Sequence, residues 1–73
     1  MKREFFVKNL RVLQKEHNLT QVQLAKALSI KQSSTSCLLD GSSVPKFDTL
    51  MDIADYFGVS IDWLCGRKSE REV

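Results

Sequence analysis

An all-α fold of five short helices is what the residue pattern predicts, and three observations carry that expectation. Apolar residues recur at helical spacing in separate stretches, as Phe6, Leu10 and Leu13 do early on and Leu50, Ile53 and Phe57 do later. Glycine and proline are scarce, three and one in 73 residues, and the long turn-free stretches between them suit helices better than a many-stranded sheet. Residues that cap or close helices stand where those stretches start and stop: Asn18, Thr20, Gly58 and Ser60.

The first helix is expected from about Arg3 to His17, with Phe6, Leu10, Leu13 and His17 on one face and Lys8, Arg11, Lys15 and Glu16 between them. Asn18, tolerant of the left-handed conformation, ends it. Thr20 caps the second helix, and Gln23 stands three residues on, where a capping box wants Glu or Gln. Leu24, Ala25 and Leu28 form its short apolar stripe before a break at Ser29 and Ile30.

The third segment, Gln32 to Leu39, reads QSSTSCLL. Serine and threonine are poor helix formers, so packing must impose helix here, with Thr35, Leu38 and Leu39 as inward candidates. Asp40 to Pro45 is a loop. Phe47, Leu50, Ile53, Ala54 and Phe57 mark a fourth amphipathic helix, closed by Gly58. Ser60 caps a fifth, Ile61 to Leu64, with Asp62 in its first turn where the helix dipole favours an anion. The domain is expected over residues 1–66, with residues 67–73, RKSEREV, as a frayed polar tail. Two short helices joined by a very short turn, residues 20–39, make a helix-turn-helix arrangement.

Composition bounds the function. At 42% hydrophobic and 27% charged residues, the chain reads as one soluble globular domain. Its net charge of +2 divides unevenly: residues 1–46 carry eight cations and three acids, residues 47–73 three cations and six acids. A basic half suits a face turned toward a polyanion. Cys37 and Cys65 form no C-x-x-C pair and His17 is the single histidine, so no metal and no cofactor are expected, and the thiols are expected free in a reducing cytoplasm. The start, MKREFFVKNL, lacks the apolar core of a signal peptide, and no membrane span is expected. His17 has no nucleophile or acid at a motif spacing, and Asp48, Asp52 and Asp55 read as a solvated helix face, so no enzyme activity is expected.

The stretch LTQVQLAKALSIKQSSTSCLLDG, followed by P-x-F-x-T-L and IADYFGVSIDWLCG, resembles the lambda-repressor-like helix-turn-helix family of phage repressors, Cro proteins and small bacterial regulators. The resemblance spans about residues 5 to 66, and its most specific parts are L-T-Q at 19–21, L-A at 24–25, D-G at 40–41 and F-G-V-S-x-D-W-L at 57–64. It implies a five-helix DNA-binding domain, a transcription regulator of repressor type, with Gln32 to Leu39 lying in the major groove of double-stranded DNA. It implies that Gln21 holds a phosphate and braces Gln32, and it puts Ser33, Ser36 and Cys37 at base-facing positions beside Gln32. The side chains suit these roles: glutamine bonds adenine through two amide contacts and serine bonds base edges. Lys31 and the Ser42–Ser43 loop are the expected phosphate contacts, with Gln21.

Departures from the family pattern carry their own expectations. Ser29 stands at a turn position usually given to glycine, where a left-handed backbone costs serine about 1 kcal/mol. Lys31 stands where a serine or threonine caps the recognition helix, and an ammonium accepts no hydrogen bond. Thr35 replaces an aliphatic residue. Gln14 and Leu39 replace an Arg–Glu pair together and are expected to touch. The recognition segment has no arginine, which favours a homodimer on a pseudo-palindromic operator. Trp63 closes the core or, with Leu64, contacts the second copy. The competing function is a protein-interaction module on the same fold, such as an antirepressor or antitoxin partner.

Overall fold

The computed structural model describes residues 2–72. Met1 and Val73, at the outer ends of the expected domain and tail, lie outside the described residues. Five helices follow in order: α1 (Arg3–Glu16), α2 (Gln21–Leu28), α3 (Gln32–Asp40), α4 (Phe47–Phe57) and α5 (Ile61–Leu64). No strand occurs among the described residues. None of these helices is long and apolar enough to cross a membrane.

Local chemistry sets the boundaries. At α2 the capping box is complete: the Gln23 amide donates to Thr20 Oγ1 at 3.1 Å, and the Thr20 amide donates to Gln23 Oε1 at 2.8 Å. Ser60 Oγ accepts from the Trp63 amide at 3.0 Å and starts α5. Asn18 and Ser29 both adopt the left-handed conformation, with φ of 54° and 56°, and turn the chain out of α1 and α2. The Ser29 amide folds back to Lys26 at 3.2 Å and the Ile30 amide to Ala25 at 3.0 Å, so only Ile30 and Lys31 separate the turn from α3.

Phe6, Leu10 and Leu13 of α1 meet Leu24 and Leu28 of α2, Leu38 and Leu39 of α3, Ile53 of α4, and Val59, Trp63 and Leu64 in one core. Each fully buried large side chain contributes about 1.5–3 kcal/mol. Thr35, also fully buried, satisfies its hydroxyl by donating Oγ1 to the Lys31 carbonyl at 3.1 Å. A polar group that finds its partner one turn back along its own helix can replace an aliphatic one without an orphaned donor.

Three expectations need correction. Phe47 is 66% exposed, because buried Pro45 takes the inward place just before α4 and Phe47 falls at the rim. Leu50 and Phe57 pack against the core from its edge, half-buried. At the backbone of Leu39, Arg11 Nε donates to the carbonyl at 2.9 Å.

The third concerns residues 67–72, which are docked, not frayed. The Ser60 amide donates to the Arg71 carbonyl at 2.8 Å, and the Arg71 guanidinium lies 4.8 Å from the Trp63 ring centre while bridging to Glu16. Trp63 is therefore covered and Leu64 is fully buried. Both side chains belong to the core of the chain.

Candidate nucleic-acid interface

α3 begins without a cap. Lys31 is extended, with φ −68° and ψ 148°, and supplies no capping side chain. The first intrahelical bond runs from the Thr35 amide to the Lys31 carbonyl at 3.0 Å. The amides of Gln32, Ser33 and Ser34 therefore stand ahead of the helical bonding pattern, at the positive end of the helix dipole. Lys31, Gln32, Ser33 and Ser34 are all exposed around this end. Such a helix start favours an anion over a cation.

Gln21, at the first turn of α2, reaches across the turn: its Nε2 donates to the Gln32 carbonyl at 3.4 Å. The two motif helices are thus tied at the residue that opens α3. Ser33 is exposed, whereas Ser36 and Cys37 are half-buried, so the outward face of α3 narrows from its start toward its end. Short side chains along that face let the helix backbone approach a groove floor closely.

A shallow groove runs beside this face, lined by Ser33, Cys37, Ser43, Val44, Lys46 and Thr49 among others. Four residues around the site escaped the sequence reading: Ser34, Val44, Lys46 and Thr49. A signal for Lys46 was present. It precedes α4 as a second uncapped N-cap, extended at φ −70° and ψ 159°, just as Lys31 precedes α3. The two uncapped starts face the same groove, since Ser33, Ser34, Lys46 and Thr49 all line it.

The loop serines differ from each other. The Ser42 amide donates to Asp40 Oδ1 at 2.8 Å, and hydrogen bonding from the Ser42 hydroxyl, then from its amide, holds the Asp40 carboxyl below its ordinary value. Ser42 is thus committed to an anion of the chain itself. The Ser43 amide donates to the Cys37 carbonyl at 3.3 Å, and Ser43 lines the groove. No group of three His, Cys, Asp or Glu able to hold a metal occurs among the described residues.

Comparison with known proteins agrees with this geometry. A family model described as helix-turn-helix matches residues 7–64. Over 50 residues the chain is 40% identical to the cryptic phage CTXphi transcriptional repressor RstR of Vibrio cholerae, a match covering 68% of this chain and 45% of that protein. It is 36% identical over 61 residues to the HTH-type transcriptional regulator YobD of Bacillus subtilis, covering 84% of this chain and 54% of the relative. The crystal structure of a transcriptional regulator from Listeria innocua superposes with a TM-score of 0.80 at 35% identity, over 93% of this chain and 62% of that one. The chain spans about half the length of the curated relatives it matches.

Proposed function

The chain belongs to the helix-turn-helix family of Cro and phage-repressor type, and on that premise we propose that it is a transcription regulator, a repressor, that binds double-stranded DNA sequence-specifically with α3 in the major groove. The observation that carries this reading is the exposed, uncapped start of α3 at Lys31–Ser34, braced from α2 by Gln21. Gln32 and Ser33 read base edges there, with Ser36 and Cys37 deeper along the helix. Lys31, Gln21, Lys46 and the Ser43 hydroxyl hold phosphates on either side. Ser42 serves the loop through Asp40 and contributes less.

The activity is binding without catalysis, and it is exercised in the cytoplasm, where the DNA is. Two copies act together on a pseudo-palindromic operator, because one copy offers few cationic base-reading side chains. A protein partner is the weaker reading of this face, since α3 turns Gln32, serines, Asp40 and a half-buried Cys37 outward and no large apolar anchor.

Selection of bound sequences from a random duplex pool tests the proposal. The expected result is one enriched pseudo-palindrome with half-site centres about one helical turn, ~10 bp, apart. Recovery of an unenriched pool would contradict it.

A further inference from the structure

Four of the five helices close their C-terminal ends with an amide that folds back onto the carbonyl five positions earlier. In each, an amide just past the helix folds back: Leu19 onto Gln14 at 3.0 Å, Ile30 onto Ala25 at 3.0 Å, Val59 onto Ala54 at 3.0 Å and Arg67 onto Asp62 at 2.7 Å. α3 ends differently, although Gly41 adopts the same left-handed turn at φ 82°. The equivalent amide, Ser42, turns to the Asp40 carboxylate, and the Cys37 carbonyl is met one residue later, by Ser43 at 3.3 Å.

Two carbonyls at this end, those of Leu39 and Gly41, are met from α1. Arg11 Nε donates to the Leu39 carbonyl at 2.9 Å, and Arg3 Nη1 donates to the Gly41 carbonyl at 3.0 Å. The two arginines stand eight residues apart on α1, about 12 Å along its axis, so they are separate anchor points. A Cβ at Gly41 would make only ordinary contact, 3.4 Å from Val7 Cγ2 and 3.8 Å from Arg3 Cδ, so the glycine is required there by its left-handed φ of 82°. A guanidinium is well matched to the task. Its donors have fixed directions, and its charge complements the negative end of the helix dipole.

We propose that Arg3 and Arg11 are positioning residues for recognition: they hold the C-terminal end of α3, set the tilt at which Gln32, Ser33 and Ser36 meet DNA, and are not themselves phosphate contacts. The proposal rests on the DNA-binding reading above. It explains how QSSTSCLLD, a run of weak helix formers, presents a fixed reading face. The start of α3 is tied by Gln21 and its end by the two arginines, so its orientation is set by α1 and α2 and does not depend on its own propensity. It also assigns part of the basic charge of the first half of the chain to an internal role.

The test compares Arg11→Met and Arg11→Lys with the wild type in two assays. In free protein, amide hydrogen exchange over residues 37–42 should accelerate by about tenfold in Arg11→Met while exchange in α4 stays unchanged. On DNA, Arg11→Met should weaken binding to the selected duplex by about tenfold, leave binding to a scrambled duplex within about twofold, and keep the salt slope. Arg11→Lys keeps the charge but lacks the fixed Nε donor, so it should follow Arg11→Met. Equal losses on both duplexes with a salt slope smaller by about one unit would make Arg11 a phosphate contact and overturn the proposal. Unchanged exchange would overturn it as well. If the wild type prefers no duplex, the DNA reading fails on its own account, and the exchange experiment still decides whether Arg11 holds α3.

Discussion

Arg71 grips Glu16 through two parallel bonds, Nη1 to Oε2 at 2.9 Å and Nη2 to Oε1 at 2.7 Å, joining the segment after α5 to the last residue of α1. The bond from Arg71 holds the Glu16 carboxyl below its ordinary value of 4.5, and the same bond raises the Arg71 pKa. For Glu16 the folded chain therefore binds a proton more weakly than the unfolded chain. Its contribution to stability is present above pH 4.5 and is lost as the pH falls through the lower, folded value. Glu16→Gln should melt below the wild type at neutral pH, with a small gap because both side chains are partly exposed. Thermal melts across an acid pH series check this: the gap should close on acidification, and a gap independent of pH would show that the bridge is not its source.

Leu24, fully buried in α2 beneath the motif, is the direct test of the core. Leu24→Ala should destabilise the fold by about 2–5 kcal/mol in urea unfolding, from lost burial and the cavity left behind. A loss well under about 1 kcal/mol would place Leu24 outside the core.

Ser29 holds a left-handed backbone, φ 56° and ψ 41°, with its side chain exposed. Glycine adopts that conformation without the steric cost. Ser29→Gly should therefore raise stability by about 0.5–1 kcal/mol, read as a higher urea midpoint at constant slope. A lower midpoint would show that serine makes a compensating interaction at the turn.

What could be read from the residues alone was what depends on near neighbours. The Thr20–Gln23 box, the Ser60 cap and the left-handed Asn18 and Ser29 each rest on three or four consecutive residues, and all are found where the pattern puts them. The helical state of Gln32–Asp40 was legible only through its inward Thr35, Leu38 and Leu39 and the short turn before it, since its propensity argues against helix. Arg71 on Glu16, and Arg3 and Arg11 on the end of α3, join residues 28 to 55 positions apart, and no periodicity encodes such pairs. Phe47 misled for a related reason. Its spacing to Leu50 is helical, but whether the first turn of a helix lies under the core or at its rim depends on the preceding loop, here on Pro45.

At the interface, position separates two kinds of contact. Gln32 is exposed at the start of α3 and can reach a base edge, whereas Lys31 precedes the helix at its anion-favouring end. Titration of the wild type, Gln32→Ala and Lys31→Ala against the selected duplex and a scrambled one, at several salt concentrations, tests the central claim most directly. Gln32→Ala should cost about 1–3 kcal/mol on the selected duplex only and relax the preference at one base pair. Lys31→Ala should weaken both duplexes alike and reduce the salt slope by about one unit. A wild type that binds the two duplexes equally at every salt concentration would contradict direct readout by α3, and one that binds neither even at low salt would contradict DNA binding altogether.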